Sequence, residues 1–126
     1  MLAHILKMAG HTVGLSSSDG IYIDGNLSVE GDLTGPRSAQ MILRDPTIDA
    51  AVLETARGGL LRNGLGFSNC DVAACINVSS DHLGLRGIDT LEQLAEIKRI
   101  PIEVATNTAV LNADNAFCLK MAAHTE

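Results

Sequence analysis

The residues best able to do chemistry stand where apolar runs give way to turns. Val72-Ala73-Ala74-Cys75-Ile76 reads as a buried parallel strand that stops at Asn77, and Asp81, His82 and Gly84 follow at once. In open α/β sheets ligands gather beyond the carboxyl ends of strands, so a carboxylate beside an imidazole there is a candidate site. The alternative is a polar loop with an Asx turn at Asn77 and a helix cap at Asp81. Glu54 ends a second apolar run, Ala50-Ala51-Val52-Leu53. Asn112 and Asp114 follow a third, Ala109-Val110-Leu111. Parallel neighbours bring such ends onto one rim, so these groups could share one site. Glutamate and imidazole both bind divalent ions, and with a nucleotide present magnesium would offset phosphate charge in a phosphoryl transfer. Residues 1–126 hold no Gly-x-x-x-x-Gly-Lys-Ser/Thr phosphate cradle. Gly58-Gly59 and Gly64-x-Gly66 are too loose a pattern to replace it and read as turns and a helix stop.

The elements that must position these groups follow from pattern. Leu2, Ile5, Leu6 and Ala9 form a helical stripe that Gly10 ends. Thr12 to Leu15 is a short strand. Ile21-Tyr22-Ile23, Asp24-Gly25 and Asn26-Leu27-Ser28-Val29 carry a hairpin signature. Gly35-Pro36 opens a second helix that Asp45-Pro46 closes. A short helix is expected at Leu60-Leu61-Arg62. Thr90 with Gln93 is a capping box for a third long helix, and a last helix is expected to be capped by Asp114. On the third helix Leu91, Leu94, Ala95 and Lys98 share the sheet-facing stripe. Lys98 must therefore snorkel past the helix edge or meet a buried anionic or metal-linked partner.

Alternation of helices and strands predicts an α/β fold, a three-layer and mostly parallel sheet with helices on both faces, right-handed crossovers and an inserted β-hairpin. Residues 1–126 read as a single domain. With 46% hydrophobic residues and only 2% aromatics, the core is aliphatic, which favours helices on a parallel sheet over a base-stacking surface. Net charge is −6 with scattered basic residues, which argues against a nucleic-acid partner. Cys70, Cys75 and Cys118 lack zinc spacing and read as reduced thiols of a cytoplasmic protein. No apolar run is long enough to span a membrane.

Several runs occur together in order: Ser18-Asp19-Gly20-Ile21-Tyr22-Ile23, Thr34-Gly35-Pro36-Arg37-Ser38-Ala39-Gln40, Leu53-Glu54-Thr55-Ala56-Arg57-Gly58-Gly59, Gly64-Leu65-Gly66-Phe67, Asp81-His82-Leu83-Gly84 and Leu111-Asn112-Ala113-Asp114. Over nearly the whole chain they resemble the central, ATP-binding domain of the Mur ligase family, and the Glu-Thr-Ala-Arg-Gly-Gly run points to one branch of it. That resemblance implies an ATP-dependent ligase that joins an amino acid to a carboxylate through an acyl phosphate. In that branch the module adds arginine to the aspartate side chains of a polymer. It implies Glu54 and His82 as magnesium ligands, and Lys98 at the position of a lysine carbamylated in many members. Asn112 would lie near adenine, with Asn77 and Asp114 beside the nucleotide.

The chain departs from the family pattern in places. The phosphate-binding turn expected before the first helix, and the strand feeding it, lie outside residues 1–126. Pro101 sits where the family continues its helix, and Asn115 where an aspartate is usual. The expectation is a piece of a ligase, inactive alone and weak or absent in Mg-ATP binding, that associates as a homo-oligomer. The alternative is a non-catalytic remnant or scaffold domain used for its surface.

Overall fold

The computed structural model of the chain describes all residues except Asp81, His82, Leu85, Arg86 and Glu126. Its contacts divide it into two compact units, Met1–Phe67 and Ser68–Glu126.

The first unit runs α1 (Leu2–Met8), β1 (Val13–Ser16), β2 (Gly20–Ile23), β3 (Asn26–Glu30), α2 (Pro36–Arg44), β4 (Ala50–Leu53) and α3 (Arg57–Asn63). Its sheet has the order β3-β2-β1-β4. β1 pairs antiparallel with β2 and parallel with β4, from Val13↔Ala50 to Ser16↔Leu53. The Asp24-Gly25 turn has φ of 51° and 83°. Two positive φ angles make the tight hairpin turn whose twist suits the flanking strands, and glycine takes the second without strain. The expected hairpin, β2–β3, is hydrogen-bonded into the sheet through β1. Lys7 Nζ donates to the Asp24 carbonyl at 2.8 Å and ties α1 to that turn. Ile21, Ala39 and Ile42 are buried between the sheet and α2, and Val13 is buried on the opposite face, toward α1.

Local chemistry sets the ends of α2 and α3. Pro36 occupies the first turn of α2, where its missing N–H costs nothing, and Asp45 leaves the helix at ψ 115°. α3 starts earlier than expected, at Arg57, so Gly58 and Gly59 lie inside a helix and not in a turn; Gly64 is the stop. Within the helix Gly59 packs closely, since a Cβ there would stand 3.3 Å from the Gly35 Cα, whereas one on Gly58 would meet nothing within 4 Å. Two apolar runs are less covered than their composition suggests. β4 is half-buried rather than buried, because it has one partner strand in its sheet. The α1 stripe stays open to solvent, with Leu2 at 56% and Ile5 at 55% exposure.

The second unit runs β5 (Cys70–Cys75), α4 (Leu91–Glu103), β6 (Ala105–Leu111), α5 (Ala116–Lys120) and a 3-10 turn (Met121–His124). β5 and β6 are parallel, from Cys70↔Ala105 to Cys75↔Leu111, with a register shift between Cys70 and Val72. A parallel pair needs a crossover, and α4 supplies it. Thr90 accepts from Gln93 N while Gln93 Oε1 accepts from Thr90 N, the reciprocal capping box expected. Leu94 and Ile102 are fully buried beneath α4. Pro101 lies inside the helix, which nevertheless continues to Glu103. β5 starts and stops earlier than the apolar run suggested. It also leaves Val72 open at 56% exposure, so it is not a fully buried strand, and Ile76, just past its end, is 69% exposed.

Candidate functional site

The carboxyl ends of β5 and β6 lie together because the strands are parallel and in register to Cys75↔Leu111. Three side chains then converge on the backbone that leaves β5. Asn112 Nδ2 donates to the Ile76 carbonyl at 3.0 Å. Lys98 Nζ donates to the Asn77 carbonyl at 3.1 Å. Asn115 Nδ2 donates to Asn77 Oδ1 at 3.2 Å and to the Val78 carbonyl at 3.1 Å. Residues 76 to 78 are thus held from β6, α4 and the start of α5 at once. Val78 is buried under this clamp, while Asn77 stays exposed.

Each clamp residue is positioned by its own element. Lys98 sits one helical turn beyond Leu94 on the buried stripe of α4, and is half-buried. Its Nζ reaches the backbone carbonyl of exposed Asn77, which is neither a buried anion nor a metal-linked group. Asn112 Oδ1 accepts from Asp114 N at 3.0 Å in an Asx turn that ends β6. Asn115 Oδ1 accepts from Cys118 N at 3.1 Å and so caps α5. This corrects the expectation that Asp114 caps this helix. Asp114 is exposed, and its N–H is used by Asn112. Both residues are good caps by type, and the Asx turn decides between them. Sequence reasoning met Asn115 only as a departure from aspartate. Its function here needs an amide, because a carboxylate has no hydrogen to give Asn77 and Val78.

Directly below, Cys75 and Cys118 place their Sγ atoms 3.8 Å apart, both buried. Burial, then the neighbouring Cys118, pushes the Cys75 thiol up to about 11.

Glu54 stands in the first unit, exposed, one residue past β4, with its N–H donating to the Ser16 carbonyl at 3.0 Å. Asp81 and His82 lie outside the described residues. Among the described residues no group of three or more His, Cys, Asp and Glu could hold a metal ion. Glu54 offers hard oxygens suited to magnesium, but the described residues do not by themselves assemble a magnesium site. Two hollows among the described residues lie elsewhere. One of about 330 Å³ lies between α1 and the first sheet, near His4, Lys7 and Tyr22. Another, of about 200 Å³, lies beside α4 near Arg99, Phe117 and His124. No described helix is long and apolar enough to cross a membrane.

Comparison with known proteins agrees with this architecture. Residues 1–126 match the Mur ligase middle domain. The chain is 54% identical over 124 residues to a cyanophycin synthetase of Synechocystis sp., covering 97% of this chain and 14% of that protein. It is 50% identical over 128 residues to the cyanophycin synthetase of Trichormus variabilis, covering 100% of this chain and again 14% of the relative. A solved UDP-N-acetylmuramoyl-L-alanyl-D-glutamate--2,6-diaminopimelate ligase superposes with a TM-score of 0.75 at 26% identity, over 98% of this chain and 25% of that one. The chain thus spans a small fraction of the length of the relatives it matches. With the family match running from residue 1 to residue 126, the chain belongs to the Mur ligase family, as its middle domain.

Proposed function

We propose that this chain is the middle-domain portion of a cyanophycin synthetase-like ligase. Such an enzyme uses ATP to activate a carboxylate as an acyl phosphate and joins it to an amino acid, here arginine on the aspartate side chain of a polymer. The observation that carries the reading is identity of 50–54% across essentially the whole chain to cyanophycin synthetases. Within the parent enzyme Glu54 and His82 are proposed as magnesium ligands and Lys98 as a catalytic-site lysine. Asn77, Asn112 and Asp114 are proposed on the nucleotide side. The clamp on residues 76–78 gives Lys98 and Asn112 a physical task in that reading. They fix the backbone that runs toward Asp81 and His82. Bound magnesium would neutralise phosphate charge. What these residues themselves contribute is orientation of the loop.

The test uses a full-length parent enzyme carrying this segment, assayed for ATP-dependent incorporation of labelled arginine into an aspartate polymer. Glu54→Gln and Lys98→Ala should each lower turnover by at least about 100-fold, the scale expected when a positioned charge at a reacting centre is removed. Wild-type turnover in both variants would overturn the assignment.

A second reading has its own support. Leu2, Ile5 and Met8 of α1 are exposed, and β4 and β5 each have one partner strand in their sheets. Apolar surface and open strand edges favour association with another chain. On that reading the chain works as a homo-oligomeric assembly domain.

A further inference from the structure

We propose that Cys75 and Cys118 form a redox-modification site, a buried dithiol that a low-molecular-weight disulfide converts to an intramolecular disulfide. The Sγ atoms lie 3.8 Å apart in the folded chain, although the residues are separated by 43 positions. No other described residue comes between them, and Cys70 is engaged elsewhere, with its Sγ 3.9 Å from the Pro101 carbonyl. A bond requires the sulfurs to close to about 2.05 Å, a movement within reach of side-chain rotation and a small shift of α5.

The chemistry balances without a metal. The Cys75 thiolate attacks one sulfur of the small disulfide, forming a mixed disulfide and expelling one small thiolate. The Cys118 sulfur then attacks the Cys75 sulfur, breaking the mixed disulfide and releasing the second small thiolate. The two cysteine protons end on the two small thiols. The protein loses two electrons and the oxidant gains them. Cys75 is the entry point because Cys118 is wholly buried while Cys75 retains slight exposure. The backbone N–H of Asn77 and the charge of Lys98 both favour its thiolate, against burial and the neighbouring Cys118.

The position gives the modification a consequence. Cys75 is followed at once by residues 76–78, and Cys118 N donates the α5 cap bond to Asn115, whose amide nitrogen holds Asn77 and Val78. A disulfide would therefore join covalently the same two segments that the clamp joins by hydrogen bonds. Oxidation state and loop position become linked.

The experiment treats the folded 126-residue chain, carrying Cys70→Ser, with excess oxidised glutathione, and follows intact mass. The expected result is loss of two hydrogen masses, reversed by dithiothreitol. Trypsin without reductant should give peptide 63–86 linked to peptide 100–120. The unsubstituted chain, digested in the same way, should give the same linked pair, which guards against a folding defect from the substitution. Retention of two alkylatable thiols, a stable glutathione adduct, or oxidation only in denaturant would each overturn the proposal.

Discussion

Asn115 donates through one amide nitrogen to both the Asn77 side chain and the Val78 carbonyl, while its oxygen caps α5. One side chain thus satisfies a helix end and a loop together. Asn115→Asp keeps the capping oxygen but removes both donors, and sets a carboxylate against two acceptors. The expected loss is about 1–3 kcal/mol at about 0.5–1.5 per hydrogen bond. Asn115→Ala also gives up the cap, worth about 1 kcal/mol more. Both are measured from the urea dependence of Cys118 alkylation. An aspartate variant as resistant as the parent would show that the clamp contributes nothing.

The Cys75 thiol predicts a pH effect. In the unfolded chain it ionises near its ordinary value of 9.0, and in the folded chain near 11. Between those values the unfolded state holds fewer protons, so stability falls as pH rises from about 9 toward about 11. Below that window the contribution is constant. The difference in urea midpoint between pH 8 and pH 10.5 should shrink in Cys75→Val. An unchanged difference would assign the alkaline loss to other groups.

The hairpin turn predicts unequal sensitivity at neighbouring positions. Gly25 has φ +83°, and an added Cβ would lie 3.1 Å from Lys7 Nζ, the movable end of a flexible chain. The cost of Gly25→Ala is therefore conformational, about 1–2 kcal/mol for a side chain forced left-handed. Asp24→Asn should change stability by less than about 0.5 kcal/mol, since asparagine suits the first turn position equally well. Thermal unfolding of both variants makes the comparison, and equal losses would count against it.

Nucleotide binding by the isolated chain should be weak. Residues 1–126 supply no glycine-rich phosphate cradle with its lysine, so ATP phosphates lack the backbone donors and charge that hold them. Calorimetric titration with Mg-ATP should give a dissociation constant no tighter than about millimolar, near −4 kcal/mol. A micromolar constant would falsify that expectation.

Association is decided by size. With the α1 stripe exposed and single-partnered strands in both sheets, a two-fold dimer is expected at micromolar concentration. Size-exclusion chromatography with light scattering reads it directly, and a monodisperse 13.2 kDa species would exclude the dimer.

The starts of α2 and α4 and the hairpin were legible because local chemistry decides them. Pro36, the Thr90–Gln93 box and Asp24-Gly25 each act within a few residues. What escaped was set at longer range. β6 begins at Ala105, four residues before its apolar run, because polar Thr106 and Thr108 lie on a strand whose pairing with β5 fixes them; Thr106 Oγ1 donates to the Cys70 carbonyl at 3.1 Å. Val72 and Ile76 read as buried although they are exposed, since apolar character gives a preference and not a neighbour. At the candidate site the family residues were recognisable from sequence. The Lys98 and Asn115 contacts were not, since each depends on which carbonyl a folded loop presents.

The crossover between β5 and β6 has a kinetic consequence. The β2–β3 hairpin closes over a two-residue turn, on a timescale of about 1–10 μs for such elements. Cys75 meets Leu111 only after the intervening chain, α4 included, has been brought back alongside. Closing that longer loop costs entropy before its contacts give anything in return. The segment at residues 76–78, held by groups from three later elements, should therefore be among the last parts of the second unit to gain order and the first to lose it. Amide exchange at Val78 would then report completion of folding better than exchange anywhere in the hairpin.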